Sequence, residues 1–370
     1  MTGAGEVVDR AAIEAHLRRH IDACRMLGSP IYSALMARAL HDYQCGGPVA
    51  EALNGFVGEP VRAALALRLF GTVHRFALLG EAPKLARYYP SVARARVLPF
   101  DVEAAWAAFR ATLVQRAAEV REGLAAAPQT NEIGRCAVLA GGLQVLTARH
   151  GLPVHLVEIG ASGGLNLRPD MLRVQLADGR ALGPVGSPVL IDVDWRGEVP
   201  DLHAPVQVLS RTGTDLDPVD VSTAAGRLRL TSYVWPDQLD RLARLRAAFE
   251  LAAALPVPVR KQRALDTLTE LRLQPGAVTV VWHSLVWQYL PDSERAAIAA
   301  RLDALGATAT PDMPLARLSL EPRGRRSPDG VQFVLRLQTW PGAEVELLGR
   351  AHPHRPDVVW QPLLQNARPQ

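Results

Sequence analysis

Val154-His155-Leu156-Val157-Glu158-Ile159-Gly160-Ala161-Ser162-Gly163-Gly164 is the stretch on which the fold turns. An apolar, β-branched-rich run passes directly into small residues. Such a run, bounded by glycine, reads as a buried strand, and the glycines allow a sharp turn at its C-terminal end. Small residues there also leave the backbone open to close approach by a ligand. Open α/β sheets bind their ligands at this carboxyl edge.

On either side of this point the chain has two different textures. Downstream, strand-like runs recur at 205–210, 229–234, 256–260, 277–284, 315–321, 331–340 and 344–350. Amphipathic helical patterns at 237–254 and 293–305 lie between them. Strands alternating with helices predict an α/β fold with a mostly parallel sheet. Pro341-Gly342 predicts an antiparallel hairpin between the last two runs. Pro169 arrives early, so the helix after the glycines is expected to be short. Residues 170–200 read as an inserted hairpin turning at Ala177-Asp178-Gly179-Arg180. Upstream the pattern is helical, at 11–27, 31–43, 61–79, 101–124 and 130–150, with Asp101 and Thr130 as candidate caps. The reading divides the chain into a helical N-terminal region, 1–150, on the substrate side, and an α/β domain, 151–370.

Composition narrows the function classes. With 370 residues, 48% hydrophobic and 21% charged, the chain can bury a large core. No apolar run is long enough for a membrane helix, and the N-terminus lacks the basic-then-apolar order of a secretory signal. Cys24, Cys45 and Cys136 are scattered and odd in number, which supports neither a disulfide framework nor a zinc knuckle. The expectation is a cytoplasmic protein without a resident metal. The pI near 9.2 keeps nucleic acid as a minor alternative, but the arginines are spread along helical stretches. A small-molecule partner is the expectation.

The candidate site residues lie at strand ends. Glu158 closes the glycine strand and can accept hydrogen bonds or face a cation. Asp215 closes the run after Val206, where a carboxylate can grip two hydroxyls at once. Asp266 follows the 256–260 run, where it reads either as a ligand acceptor or as a helix cap. His283, in Trp282-His283-Ser284-Leu285-Val286-Trp287-Gln288-Tyr289, titrates near neutrality and suits orientation or deprotonation of an acceptor. Trp287 and Tyr289 are candidate pocket walls, and Asn131 and Glu132 are candidate contacts before the glycine strand. His352-Pro353-His354 supplies two imidazoles without a third metal ligand. Gly160-Ala161-Ser162-Gly163-Gly164 also fits G-x-S-x-G, the nucleophile elbow of serine hydrolases, with Asp266 and His352 in a permitted order. The helical half before it lacks the strands that an elbow's oxyanion loop requires.

The glycine stretch resembles motif I of class I S-adenosylmethionine-dependent methyltransferases, and the His283 stretch resembles their motif IV. The resemblance implies a Rossmann-like fold and S-adenosylmethionine as cofactor. Glu158, Gly160, Ala161, Ser162 and Gly164 would then shape the cofactor loop, Asp215 would hold ribose, and Asp266 would hold adenine. Ser284 would lie beside the cofactor and His283 nearest the transferred methyl. A non-catalytic nucleoside-binding protein on the same scaffold is a further reading. The segments Leu27-Gly28-Ser29-Pro30, Gly46-Gly47-Pro48, Gln129-Thr130-Asn131-Glu132-Ile133-Gly134-Arg135, Val234-Trp235-Pro236-Asp237-Gln238, His283–Pro291 and Ala351-His352-Pro353-His354, taken with Glu158–Ser162, resemble the bacterial family of domain of unknown function 2332. That resemblance runs from about Ala11 to Trp360 and implies no assigned reaction.

Overall fold

The change of texture after residue 150 reappears in three dimensions as a change from helices alone to strands interleaved with helices. The computed structural model describes residues 9–56, 63–93, 99–327 and 330–364. In chain order the helical part holds α1 (Arg10–Met26), α2 (Pro30–Gln44), α3 (Pro48–Leu53), α4 (Leu65–Leu78), α5 (Pro83–Ala86), α6 (Val102–Gln115) and α7 (Ala117–Ala125). There follow α8 (Cys136–His150), β1 (Val154–Ile159), β2 (Arg173–Leu176), β3 (Ala181–Leu182), β4 (Leu190–Gly197) and β5 (Val208–Asp215). Then come α9 (Ala224–Ser232), α10 (Leu239–Ala254), β6 (Val259–Lys261), α11 (Ala264–Glu270), β7 (Val278–Ser284) and α12 (Asp292–Gly306). The last strands are β8 (Leu315–Ser327), β9 (Gly330–Trp340), β10 (Glu344–Ala351) and β11 (Asp357–Leu364).

The chain forms two compact units, Met1–Thr130 with Ala224–Ala243, and Asn131–Thr223 with Arg244–Gln370. The first is helical. Ile13, Leu17 and Ile21 of α1 recur at helical spacing and are buried in one core with Leu35 and Met36 of α2 and Leu69, Phe70 and Val73 of α4. Tyr32 meets Phe70 edge to face at 5.1 Å. Asp237 ties this unit to its own returning segment. Its carboxylate accepts from Ser29 Oγ at 2.6 Å and from Ile31 N at 2.9 Å, at the start of α2. Gln238 Nε2 donates to Leu27 O.

Several expectations are corrected in this unit. The stretch 229–234, read as a strand, is the end of helix α9 and the turn after it. The alternation Arg227-Leu228-Arg229-Leu230 is too short to separate a period of two from one helical turn. Tertiary contacts decide it: His74 Nδ1 bonds Ser232 O, and Gly71 gives room for the Tyr233 ring. Asp101 caps α6 as expected, accepting from Glu103 N and Ala104 N, but the helix breaks at Arg116. The expected start of a helix at Val61 lies outside the described residues.

The second unit is built on an eleven-stranded sheet of order β3-β2-β4-β11-β10-β9-β8-β7-β1-β5-β6. From β8 to β6 neighbouring strands are parallel. The chain runs from β1 outward to β5 and β6, then returns to place β7 and β8 on the other side of β1. The strand order therefore reverses beside β1, which makes its carboxyl edge a topological switch point. β1 and β7 are buried almost throughout, which is why they read as continuous apolar runs.

From β8 onward the sheet is antiparallel through β9, β10 and β11. The expected hairpin at Pro341-Gly342 joins β9 to β10. β11 had no counterpart in the sequence reading, where Pro356 and Pro362 mask the run Asp357–Trp360. The insertion holds the expected hairpin β2–β3 and also β4, which pairs parallel to β11. It extends the sheet rather than standing apart from it.

The expected helix 130–150 starts later and differently. A 3₁₀ turn, Ile133–Arg135, leads into α8 at Cys136, so Thr130 is not its cap. Gly141 and Gly142 let α8 approach the sheet. A Cβ on Gly141 would stand 2.6 Å from Trp195, and one on Gly142 would stand 2.4 Å from Leu318. The whole is a mixed α/β protein: a large, mostly parallel sheet with antiparallel strands, preceded by a helical N-terminal region.

Candidate functional site

The glycine loop leaves β1 at the switch point. Gly160 has φ +70 and Gly164 φ +67, the left-handed region that glycine enters without strain. A Cβ on Gly160 would stand 2.4 Å from Val286, so β1 can turn here only with glycine. Ser162 adopts φ +54 despite carrying a side chain. The segment after the loop is a single 3₁₀ turn, Leu165–Leu167, so no α-helix follows the loop directly.

Three polar side chains hold the loop, Asp215, Asn131 and Arg168. Asp215, the last residue of β5, accepts from Ser162 N at 2.8 Å through Oδ2 and from Asp217 N at 2.9 Å through Oδ1. Asn131 Oδ1 accepts from Gly163 N at 3.1 Å and Leu165 N at 3.0 Å. Arg168, 1% exposed, donates to Gly164 O at 2.7 Å and to Leu255 O at 2.8 Å. Glu132 accepts from Gly134 N at 3.0 Å, which shapes the turn before α8. Arg135 then reaches outward, donating from Nε to Pro353 O and from Nη1 to Ser284 O and Oγ. The segments around Asn131, Glu158, His283 and Pro353 are therefore joined at one edge.

Glu158 Oε2 and Ser162 Oγ are buried there without a hydrogen-bond partner. Glu158 is 2% exposed. Burial pushes its carboxyl up to about 8, and nearby Asp215 adds to this, against the opposing pull of the Asn166 amide and the Arg135 guanidinium. At neutral pH the group is mostly a protonated acid that can donate as well as accept. Cys136 bonds Asn166 Oδ1 at 3.2 Å, and burial drives its thiol well above the ordinary range. It is no nucleophile in this setting.

His283 corrects the reading of it as an acid–base group. Its Nδ1 bonds Glu321 Oε1 at 2.8 Å and its Nε2 accepts from Arg317 Nε at 3.1 Å. With both nitrogens engaged, a neutral ring is required, and burial lowers its pKa while Glu321 opposes. The ring stacks on Trp287 at 4.6 Å, and Arg317 lies 4.4 Å from the same indole. Glu321 Oε1 also accepts from Val286 N and Trp287 N. His283 thus belongs to a brace that fixes the chain after β7, and Trp287 is stacked on that brace.

The other expected residues lie as follows. Ala161 is buried in the loop and Ser284 is bonded by Arg135. Tyr289 is 47% exposed. Asp266 stands exposed in the first turn of α11 and makes no hydrogen bond to the loop; Arg263, not Asp266, is the cap. His352 Nδ1 accepts from His354 N and Arg355 N, which makes it a turn former. Among the described residues no group of three His, Cys, Asp or Glu side chains is placed to hold a metal. None of their helices is long and apolar enough to cross a membrane. Arg135, Asn166, Arg168, Arg317 and Glu321 escaped the sequence reading. Two of them had a signal there, Arg135 as the last residue of a distinctive polar word and Glu321 as the acid closing the run 315–321.

The class defined by this geometry is an α/β protein with a braced glycine turn at the switch point of its sheet. The chain belongs to the bacterial family described as an uncharacterized protein conserved in bacteria (DUF2332), whose model matches residues 14–360. No curated protein and no solved structure matches it.

Proposed function

We propose that the protein is an S-adenosylmethionine-dependent methyltransferase with a small-molecule acceptor. The observation that carries this reading is the glycine turn at the reversal of strand order, with Asp215 at the end of the neighbouring strand and bonded to Ser162 N at 2.8 Å. The residues present fit such a cofactor, because the orphaned Glu158 Oε2 and Ser162 Oγ are placed to accept from ammonium and hydroxyl groups, and a bound ammonium would draw the Glu158 carboxyl into its ionised form. Glu158, Gly160, Ala161, Ser162, Gly164 and Asp215 would hold it. The cofactor supplies an electrophilic methyl on a sulfonium centre. The chain's own contribution is alignment and exclusion of water. Asn131 and Arg168 hold the loop rigid, Arg135 ties it to the end of β7, and the His283–Glu321–Arg317 brace fixes the segment that follows. The acceptor's proton would leave to solvent or to another group, since His283 has no lone pair to offer.

The serine hydrolase reading draws support from the left-handed φ of Ser162, which resembles a strained elbow. Against it, Ser162 Oγ is buried without a hydrogen-bond partner, so no base activates it, and no helix follows.

Calorimetric titration with S-adenosylmethionine and S-adenosylhomocysteine tests the proposal. Saturable binding is expected, weakened about tenfold or more in Asp215→Ala and lost in Gly160→Arg. Absence of binding by both ligands would sink it. Binding without turnover across an acceptor panel would favour a nucleoside-binding protein instead.

A further inference from the structure

The insertion between β1 and β5 does more than widen the sheet. Together with α8 it borders a half-open pocket of about 180 Å³. Leu143 of α8, Leu182 of β3, and Leu202 and Val206 of the segment before β5 give it aliphatic walls. Two polar side chains interrupt them, Gln144 of α8 and Asp170. Gln144 is 7% exposed and its Oε1 has no hydrogen-bond partner. Asp170 Oδ2 accepts from Arg211 Nη2 at 2.5 Å, while Asp170 Oδ1 has no partner. Orphaned buried polar atoms are rare in native proteins and mark a place where a bound group or water completes the set. The site belongs to none of the machinery described above.

We propose that this pocket binds a small neutral molecule with a branched aliphatic body and a primary carboxamide head. Charge excludes the alternatives. Arg211 already balances Asp170, so a cation would find no net charge to meet and an anion would face the Asp170 carboxylate. A carboxamide carries two N–H donors, one for each orphaned oxygen, Asp170 Oδ1 and Gln144 Oε1, and its carbonyl can accept from the Gln144 amide when that amide is turned end for end. The volume has room for about six water-sized groups, the size of a four-carbon amide. The leucine and valine walls suit branching and offer no aromatic face.

Ligand-observed NMR with isobutyramide, isobutyrate and isobutylamine tests the head group on one carbon body. Isobutyramide should bind at millimolar concentration, and the two charged analogues about tenfold more weakly or worse. Gln144→Leu and Ala204→Trp, the second filling the pocket from its half-exposed loop, should each abolish the signal. Thermal melting identifies which variants fold, and either one suffices. No binding of isobutyramide would mean that the pocket holds water only and would overturn the proposal. Equal binding of all three analogues, or binding that survives in a folded variant, would overturn it as well.

Discussion

At the scale of single residues, the site is defined by what burial does to polar groups. Glu158 is the clearest case. Its folded value near 8 lies above the ordinary 4.5, so the folded protein holds the proton more tightly than the unfolded chain does. The contribution to stability is complete below the ordinary value and is lost as pH rises through about 8. Urea denaturation of the wild type and Glu158→Gln at about pH 5 and about pH 8.5 should show the variant gaining relative stability at the higher pH, on the order of a few kcal/mol. A pH-independent difference would show that the carboxyl titrates normally. Asn131 makes a second prediction at this scale. Its side chain satisfies two buried loop N–H groups, so Asn131→Ala should cost about 2–4 kcal/mol of stability, read by the same denaturation experiment.

At the scale of elements, close approach and remote capping matter more than propensity. α8 includes two glycines that disfavour helix, and it keeps them because the sheet stands where side chains would be. Gly142→Val would push into Leu318 and is expected to cost about 1–3 kcal/mol or more, seen as a lower urea midpoint. The start of α2 is capped from far along the sequence by Asp237, whose bonds to Ser29 Oγ and Ile31 N explain why the words Leu27-Gly28-Ser29-Pro30 and Val234-Trp235-Pro236-Asp237-Gln238 occur together. Asp237→Ala should cost roughly 1–3 kcal/mol, with the thermal midpoint as readout.

At the scale of the whole molecule, the sheet of the second unit depends on its last strand. β11 is the link between β10 and β4, and its Trp360, 1% exposed, meets Trp195 of β4 at 5.3 Å. Truncation after Pro356 would leave two strand edges unpaired and strand the insertion. The shortened chain is expected to aggregate, or to unfold with a smaller dependence on urea. A monomeric product with an unchanged urea slope in size-exclusion and denaturation experiments would show that the insertion is held by other contacts.

Read from sequence alone, β1 and its glycine turn, the strand ending at Asp215, the strand ending at Ser284 and the hairpin at Pro341-Gly342 were all legible. Each depends on local chemistry: a doubly buried strand is continuously apolar, and a turn needs glycine or proline. The polar words around Asn131, His283 and Pro353 were visible as words but not as a structure. Only the folded sheet joined them, because Arg135 bonds residues 149 and 218 positions away. The same is true of the corrected readings. His283 has the pKa of a base in isolation, and only Glu321 and Arg317, set beside it by the pairing of β7 with β8, consume its two nitrogens. The residues 229–234 have a pattern that suits either period, and their packing on α4 selects the helix. Sequence determined where the chain turns and which segments are buried; the tertiary structure decided which side chains meet, because long-range hydrogen bonds depend on strand order, and strand order is not encoded in any one segment.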